Sequence, residues 1–80
     1  MAYLNEINEM DTDDYRGFLL RGVILASRRK YHEAIKDFTH AIKLNPDNPD
    51  GWHNRGIAYK DLGMLDHAHK DILKYEKMKP

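Results

Sequence analysis

The strongest constraint on this chain is an internal repeat, because residues 15–46 align with residues 49–80 when the sequence is shifted by 34 positions. The alignment needs no gap. Eight aligned pairs are identical: Gly17/Gly51, Arg21/Arg55, Gly22/Gly56, Ala34/Ala68, Lys36/Lys70, Asp37/Asp71, Lys43/Lys77 and Pro46/Pro80. A unit that recurs at a fixed period builds the same local structure twice, and the copies bury their apolar faces by stacking on each other.

The second copy reads as two helices joined by a short turn. Residues 48–50, Asn-Pro-Asp, supply an N-cap, a proline at the first helical position and an acid in the first turn. Gly63 is expected to end this helix, and apolar spacing predicts the next over residues 65–78. In the first copy Arg29 stands in place of Gly63, so we expect a less tight turn there.

The first copy is expected to contain the same pair of helices. Asp11 or Thr12 is predicted to cap a helix that runs to about Ser27. A second helix is predicted over about residues 32–44, and Asn-Pro follows it.

Small residues recur where the two helices of each copy would cross. Helices joined by a three-residue turn approach closely only where their side chains are minimal. We therefore expect Gly22 to lie opposite Ala34, and Gly56 to lie opposite Ala68.

This pattern resembles the tetratricopeptide repeat family, whose 34-residue unit carries W-x2-L-G-x2-Y, then A-x3-F, then P. The second copy matches at Trp52, Gly56, Tyr59, Ala68, Ile72 and Pro80, and the first at Phe18, Gly22, Leu25, Ala34, Phe38 and Pro46. Arg21 and Arg55 depart from it, because the family has an apolar Leu at that position. The resemblance implies an all-α fold of antiparallel helix–turn–helix repeats stacked as a short right-handed α-solenoid.

We expect one domain over residues 1–80, with repeat 1 at 13–46 and repeat 2 at 47–80. Residues 1–12 are expected to be an N-terminal helical segment from a partial repeat, because their apolar residues fall on apolar positions of the second helix of repeat 1. A frayed tail is the alternative. Tyr75 replaces a small residue that normally accepts the next repeat, so its ring is expected to cap the array.

In the resembled family, the first helix of each repeat lines a concave wall that binds a peptide or helix of a partner protein. The residues that the resemblance places in this groove are Leu19, Val23, Ser27, His53, Asn54, Ile57 and Lys60. The flanking residues of the wall are Arg16, Leu20, Ala26, Asp50 and Asp61. Asn54 stands where many members hold a hydrogen bond to the peptide backbone, and a hydrogen bond within its own repeat is the alternative.

The best-known ligand mode of the family is a carboxylate clamp of Lys/Asn and Lys/Arg pairs, which grips the acidic C-terminal tails of heat-shock chaperones. Only Asn54 matches that clamp here, because Leu19 and Val23 stand where it needs Lys and Asn. We therefore expect no clamp for a chaperone tail.

The first helix of repeat 1 is apolar almost all round. Leu19, Leu20 and Val23 form an apolar wall beside three residues expected to face inward, Phe18, Ile24 and Leu25. Such a helix is usually buried on several sides. The N-terminal segment, a second copy of the chain or a partner's amphipathic helix would each cover it. The expected function is protein–protein interaction, with a homodimer or higher oligomer as the alternative.

Enzymatic, metal and cofactor chemistry find no support in the residues. The chain has no cysteine, Ser27 is its only serine, and no glycine-rich phosphate loop occurs. His67 and His69 lie two apart on a predicted helix and point to different faces. We expect no catalytic residue, no metal and no cofactor.

Membrane and nucleic-acid partners are also not expected. Thirteen basic and thirteen acidic residues balance, whereas nucleic-acid binders usually show a basic excess. The basic run at residues 28–30 reads as solvated turn charge. No signal peptide or spanning segment is visible, which favours a cytoplasmic location.

Overall fold

The computed structural model describes residues 14–79, and these residues form four helices and no strand. They are α1 (Tyr15–Ser27), α2 (Tyr31–Leu44), α3 (Pro49–Asp61) and α4 (Leu65–Met78). Helices α1 and α2 form one hairpin, α3 and α4 form a second, and α2 packs on α3 to join them. The expected all-α stack of hairpins is confirmed. The predicted helical segment 1–12 lies outside the described residues.

The start of α1 differs from the prediction of a cap at Asp11 or Thr12. Asp14 is the N-cap, and its carboxylate accepts a hydrogen bond of 2.9 Å from the backbone N–H of Arg16. The Arg16 guanidinium also donates to both Asp14 oxygens at 3.0 Å. Asp14 therefore satisfies a donor that the helix start leaves open, so the helix begins at Tyr15.

The predicted start of α3 is confirmed. Asn48 is the N-cap, its side-chain oxygen accepts a 2.8 Å hydrogen bond from the N–H of Asp50, and Pro49 is the first helical residue. Pro49 lacks the N–H that would be unpaired at this position.

The two turns between helices are equally tight, contrary to the expectation from Arg29. Arg29 has φ 63° and Gly63 has φ 84°. The N–H of Arg29 donates to Ala26 O, and that of Gly63 to Lys60 O, each at 2.9 Å. The backbone bonds hold Arg29 in a left-handed conformation that costs a non-glycine residue roughly 1–2 kcal/mol.

Gly22 of α1 and Gly56 of α3 do not lie directly against the predicted alanines. Each lies against the residue one helical turn further along the facing helix. A Cβ added to Gly22 would lie 2.5 Å from a Phe38 ring atom, and one added to Gly56 would lie 2.8 Å from Ile72. Ala34 and Ala68 are buried as well. The glycines therefore make room for large side chains of the facing helix, not only for small ones.

The core spans both hairpins. Phe38, Ala34 and Ala58 form a buried cluster, so residues of α2 and α3 share one interior. At the junction between the hairpins, a Cβ on Gly51 would lie 2.8 Å from the Ile42 side chain. Close backbone approach at Gly51 lets α3 lie directly on α2.

The two arginines that depart from the family pattern each pair with a buried aspartate. Arg21 donates to both carboxylate oxygens of Asp37 at 2.8 and 3.0 Å, and Arg55 donates to those of Asp71 at 2.7 and 2.9 Å. Arg55 also donates to the Thr39 hydroxyl at 3.2 Å, which links the second hairpin to the first. The hydrogen bond to Asp71 raises the pKa of Arg55.

No helix within residues 14–79 is long and apolar enough to cross a bilayer.

Candidate functional site

A cleft of about 120 Å³ lies between the first helices of the two hairpins. Its lining residues come from α1, α2 and α3: Val23, Ala26, Phe38, Asn54, Ile57, Ala58 and Asp61. The four α3 residues lie three, four and seven positions apart, so they share one face of that helix.

The cleft has an apolar floor and accessible apolar walls. Phe38 and Ala58 form the floor and are buried. Val23 is 46% exposed and Ile57 is 41% exposed. A ligand side chain placed between these walls would remove apolar surface from water at about 25 cal/mol per Å².

Two polar groups complete the cleft, and both are without partners among residues 14–79. The side-chain amide of Asn54 makes no hydrogen bond there, so the alternative of a bond within its own repeat is not found. The exposed carboxylate of Asp61 makes neither a hydrogen bond nor an ion pair with a described residue. Both groups are open to a ligand.

Three of the predicted groove residues, Val23, Asn54 and Ile57, are thus brought together in the cleft. Leu19 is half-buried and packs against the core cluster. The Ser27 hydroxyl donates to the carbonyl oxygen of Ile24 at 2.6 Å.

The last two predicted groove residues lie outside the cleft lining. Lys60 is exposed. His53 stacks on Tyr75 of α4, with ring centroids 4.3 Å apart and planes at 23°. The Tyr75 ring therefore covers the side of α3 that carries His53.

Sequence reasoning placed Ala26 and Asp61 on the flanking wall and assigned Phe38 to the interior only. Ala58 was not singled out. The signal for it was present, because residues 54, 57, 58 and 61 follow helical face spacing.

The apolar face of α1 continues beyond the cleft. Leu20 is 63% exposed in the part of the chain that the structure describes. Ile24, which was expected to face inward, is also exposed. The prediction for Ile24 is wrong because the interior of the first hairpin is filled by Phe38 against Gly22.

Three of the histidines contact aromatic rings. Besides the His53–Tyr75 stack, the ring pairs are Phe18/His40 at 4.9 Å and Tyr59/His67 at 5.0 Å. Within residues 14–79, no three His, Asp or Glu side chains converge on a point that would hold a metal ion.

Comparison with known proteins identifies the family. A family model described as TPR repeat matches residues 22–63, and one described as tetratricopeptide repeat matches residues 49–80. The chain belongs to the tetratricopeptide repeat family.

Several curated relatives are Hsp70-Hsp90 organizing proteins. The chain is 37% identical over 60 residues to Hsp70-Hsp90 organizing protein 1 of Glycine max, which covers 75% of this chain and 10% of that protein. It is 33% identical over 66 residues to the heat shock protein sti1 homolog of Schizosaccharomyces pombe, and this match covers 82% of the chain and 11% of that protein.

A relative of another kind is a probable UDP-N-acetylglucosamine–peptide N-acetylglucosaminyltransferase SPINDLY of Solanum lycopersicum. It is 29% identical over 80 residues, and the match covers 100% of the chain and 9% of that protein. The chain spans about a tenth of the length of these relatives.

Proposed function

We propose that the chain is a non-enzymatic protein-interaction module that binds a peptide or helical segment of a partner in the cleft between α1 and α3. The observation that carries this proposal is the open amide of Asn54 beside the exposed side chains of Val23 and Ile57. An amide has both donors and an acceptor, so it matches the N–H and C=O of a peptide backbone. The apolar walls add side-chain contact, as in other modes of peptide recognition.

The likeness to Hsp70-Hsp90 organizing proteins raises a segment of Hsp70 or Hsp90 as a partner. The cleft itself opposes an acidic tail, because its lining holds the Asp61 carboxylate and no Lys or Arg. Partners of a different chemistry therefore fit better. A cytoplasmic location stays a prediction, which cell fractionation would test.

Substitutions in the cleft walls test this proposal. Peptides selected from a displayed library of random 12-residue sequences would be titrated into the full 80-residue chain. Val23→Asp and Ile57→Asp should each abolish binding, because a carboxylate on either wall opposes an apolar ligand side chain, and helical circular dichroism should be nearly unchanged. Leu73→Asp is the matched control, since Leu73 is exposed on α4 away from the cleft.

Two results would contradict the proposal. Equal loss of binding in Leu73→Asp would place the ligand elsewhere. Loss of helicity in both cleft variants would make the walls part of the core, and the cleft assignment would fail.

Self-association is the second candidate, and the exposed Leu20 and Ile24 on α1 favour it. Apolar residues clustered on one face mark an interaction surface more often than scattered ones do. Size-exclusion chromatography with light scattering over a hundredfold concentration range decides between the two. A stable dimer that Leu20→Asp converts to a monomer supports self-association, and a monomer at every concentration rejects it.

A further inference from the structure

The cleft carries a charge pattern that narrows the ligand class beyond peptide binding in general. Asp61 is the one charged residue among the lining residues, and it lies at the C-terminal end of α3. The aligned peptide dipoles of a helix give its C-terminus a partial negative charge, which favours cations nearby. Lys60 precedes Asp61 but points about 100° away around the helix, and the two make no ion pair. The one charge within the cleft lining is therefore negative, and the positive charges of Arg29 and Lys30 lie outside the lining, in a neighbouring cavity beside Leu62.

The volume of the cleft limits the side chain that it accepts. An apolar protein cavity of about 150 Å³ holds one benzene molecule. The present cleft measures about 120 Å³ and is open to solvent, so a branched aliphatic side chain would fill it, whereas part of a larger aromatic ring would remain outside. The apolar Val23, Ile57, Phe38 and Ala58 around it match such a group.

The positions along α3 set the spacing of the ligand's groups. Asn54 and Asp61 are seven residues apart, which is roughly 10 Å along a helix and about three residues of extended peptide. Ile57 and Ala58 lie midway between them. A peptide whose backbone meets Asn54 would thus place its next side chain between the walls, and a side chain one or two residues later at Asp61.

We propose that the cleft selects an extended peptide segment that carries a branched aliphatic residue, Leu, Ile or Val, followed within two residues by Arg or Lys. The inference rests on the proposed function, since it assigns the ligand class of the same cleft. Leu or Ile fills the cleft, Asn54 holds the backbone, and Asp61 pairs with the basic side chain. This preference for a basic ligand is the opposite of the preference for an acidic tail shown by a carboxylate clamp.

Three synthetic 12-residue peptides in a Gly/Ser background test the selectivity. The first has a central Leu with Arg one and two residues later, the second has Glu in place of both Arg residues, and the third has Trp in place of Leu. Binding to the isotope-labelled 80-residue chain is followed by amide chemical shifts at residues 23, 54 and 57. We expect the Leu/Arg peptide to bind roughly fivefold more tightly than the Leu/Glu peptide at low salt, with a smaller ratio at 0.5 M salt.

Asp61→Asn should remove the difference between the Arg and Glu peptides and retain binding of both. Asp66→Asn is the matched control, because Asp66 is an exposed acid in the first turn of α4 outside the cleft. This variant should keep the wild-type preference.

The possible outcomes separate the inference from the proposed function. Equal or tighter binding of the Leu/Glu peptide, with shifts at the three cleft residues, overturns the charge selectivity and leaves peptide binding standing. Tighter binding of the Trp peptide overturns the preference for a branched aliphatic side chain. Failure of all three peptides and of the random library to shift these residues contradicts peptide binding itself.

Shifts that depend on dilution of the chain alone assign the cleft to a second copy, and contacts to it from the chain's own residues 1–13 assign it to that segment. Either of the last two results rejects a separate peptide as the occupant.

Discussion

The pairing of Arg55 with Asp71 makes a quantitative prediction about stability. Replacing Arg55 by Leu, the residue type of the family pattern, leaves the Asp71 carboxylate only 4% exposed and without its partner. Breaking a buried ion pair from one side costs about 3–5 kcal/mol. The lost hydrogen bond to Thr39 adds about 1 kcal/mol. Because the Arg55 side chain is itself 17% exposed, water relieves part of the penalty, and we expect a loss of about 3 kcal/mol in the free energy of unfolding.

A double-mutant cycle separates the pair from its surroundings. Asp71→Ala leaves the guanidinium of Arg55 without its carboxylate, whereas Arg55→Leu with Asp71→Ala removes both charges together. The double variant should be more stable than the sum of the single effects predicts, with a coupling energy of at least about 2 kcal/mol. Urea unfolding followed by circular dichroism gives each free energy, and a stabilising osmolyte keeps the weakest variants folded for comparison.

The equivalent pair in the first hairpin is the internal comparison. The Arg21 side chain is 56% exposed, against 17% for Arg55. Water therefore screens this pair more strongly, and Arg21→Leu should cost less than Arg55→Leu. Additive effects of Arg55→Leu and Asp71→Ala, or an equal or larger loss for Arg21→Leu, would refute the argument that burial of the pair sets its strength.

Three further predictions concern the hairpins. Gly22→Ala should lower the free energy of unfolding by about 1–3 kcal/mol, because its Cβ would overlap the Phe38 ring, and an unchanged urea midpoint would contradict this packing. Arg29→Gly should raise stability by about 1 kcal/mol, since it relieves the left-handed conformation at φ 63°, and thermal unfolding would show a higher midpoint. The hydrogen bond from Arg16 lowers the pKa of Asp14, so the stabilisation from the Asp14 carboxylate is present above about pH 4 and is lost as the pH falls through the lowered value. The stability difference between the wild type and Asp14→Asn should therefore shrink on acidification, and a difference that is constant with pH would exclude this linkage.

Much of the fold was predictable from local sequence. The 34-residue repeat is visible when the sequence is aligned with itself. The N-cap at Asn48 and the helix end before Gly63 each depend on a few residues of backbone, so sequence reasoning reached them correctly. The start of α1 was predicted incorrectly because several acidic residues precede it. The N-cap is the residue whose side chain accepts a hydrogen bond from a free backbone N–H of the first turn, and this residue is Asp14.

The candidate site was predictable only in part. Val23, Asn54 and Ile57 follow from the face of the first helix in each repeat. The paired arginines also left a signal, because Arg21/Asp37 and Arg55/Asp71 recur as opposite charges at the same separation of 16 residues. The sequence analysis recorded these arginines only as departures from the family pattern, because an arginine at an apolar position has no evident role until its aspartate partner is identified.

The sequence by itself determined the repeat and the number of helices in residues 14–79, because helix periodicity and capping are local properties. Only the tertiary structure decided which side chains fill the interior. Phe38 occupies the space over Gly22, Ile24 is left exposed, and the cleft reaches down to a floor of Phe38 and Ala58. These outcomes depend on the distance between helices, which is set by the side chains of both partners at once and is not encoded in either helix alone.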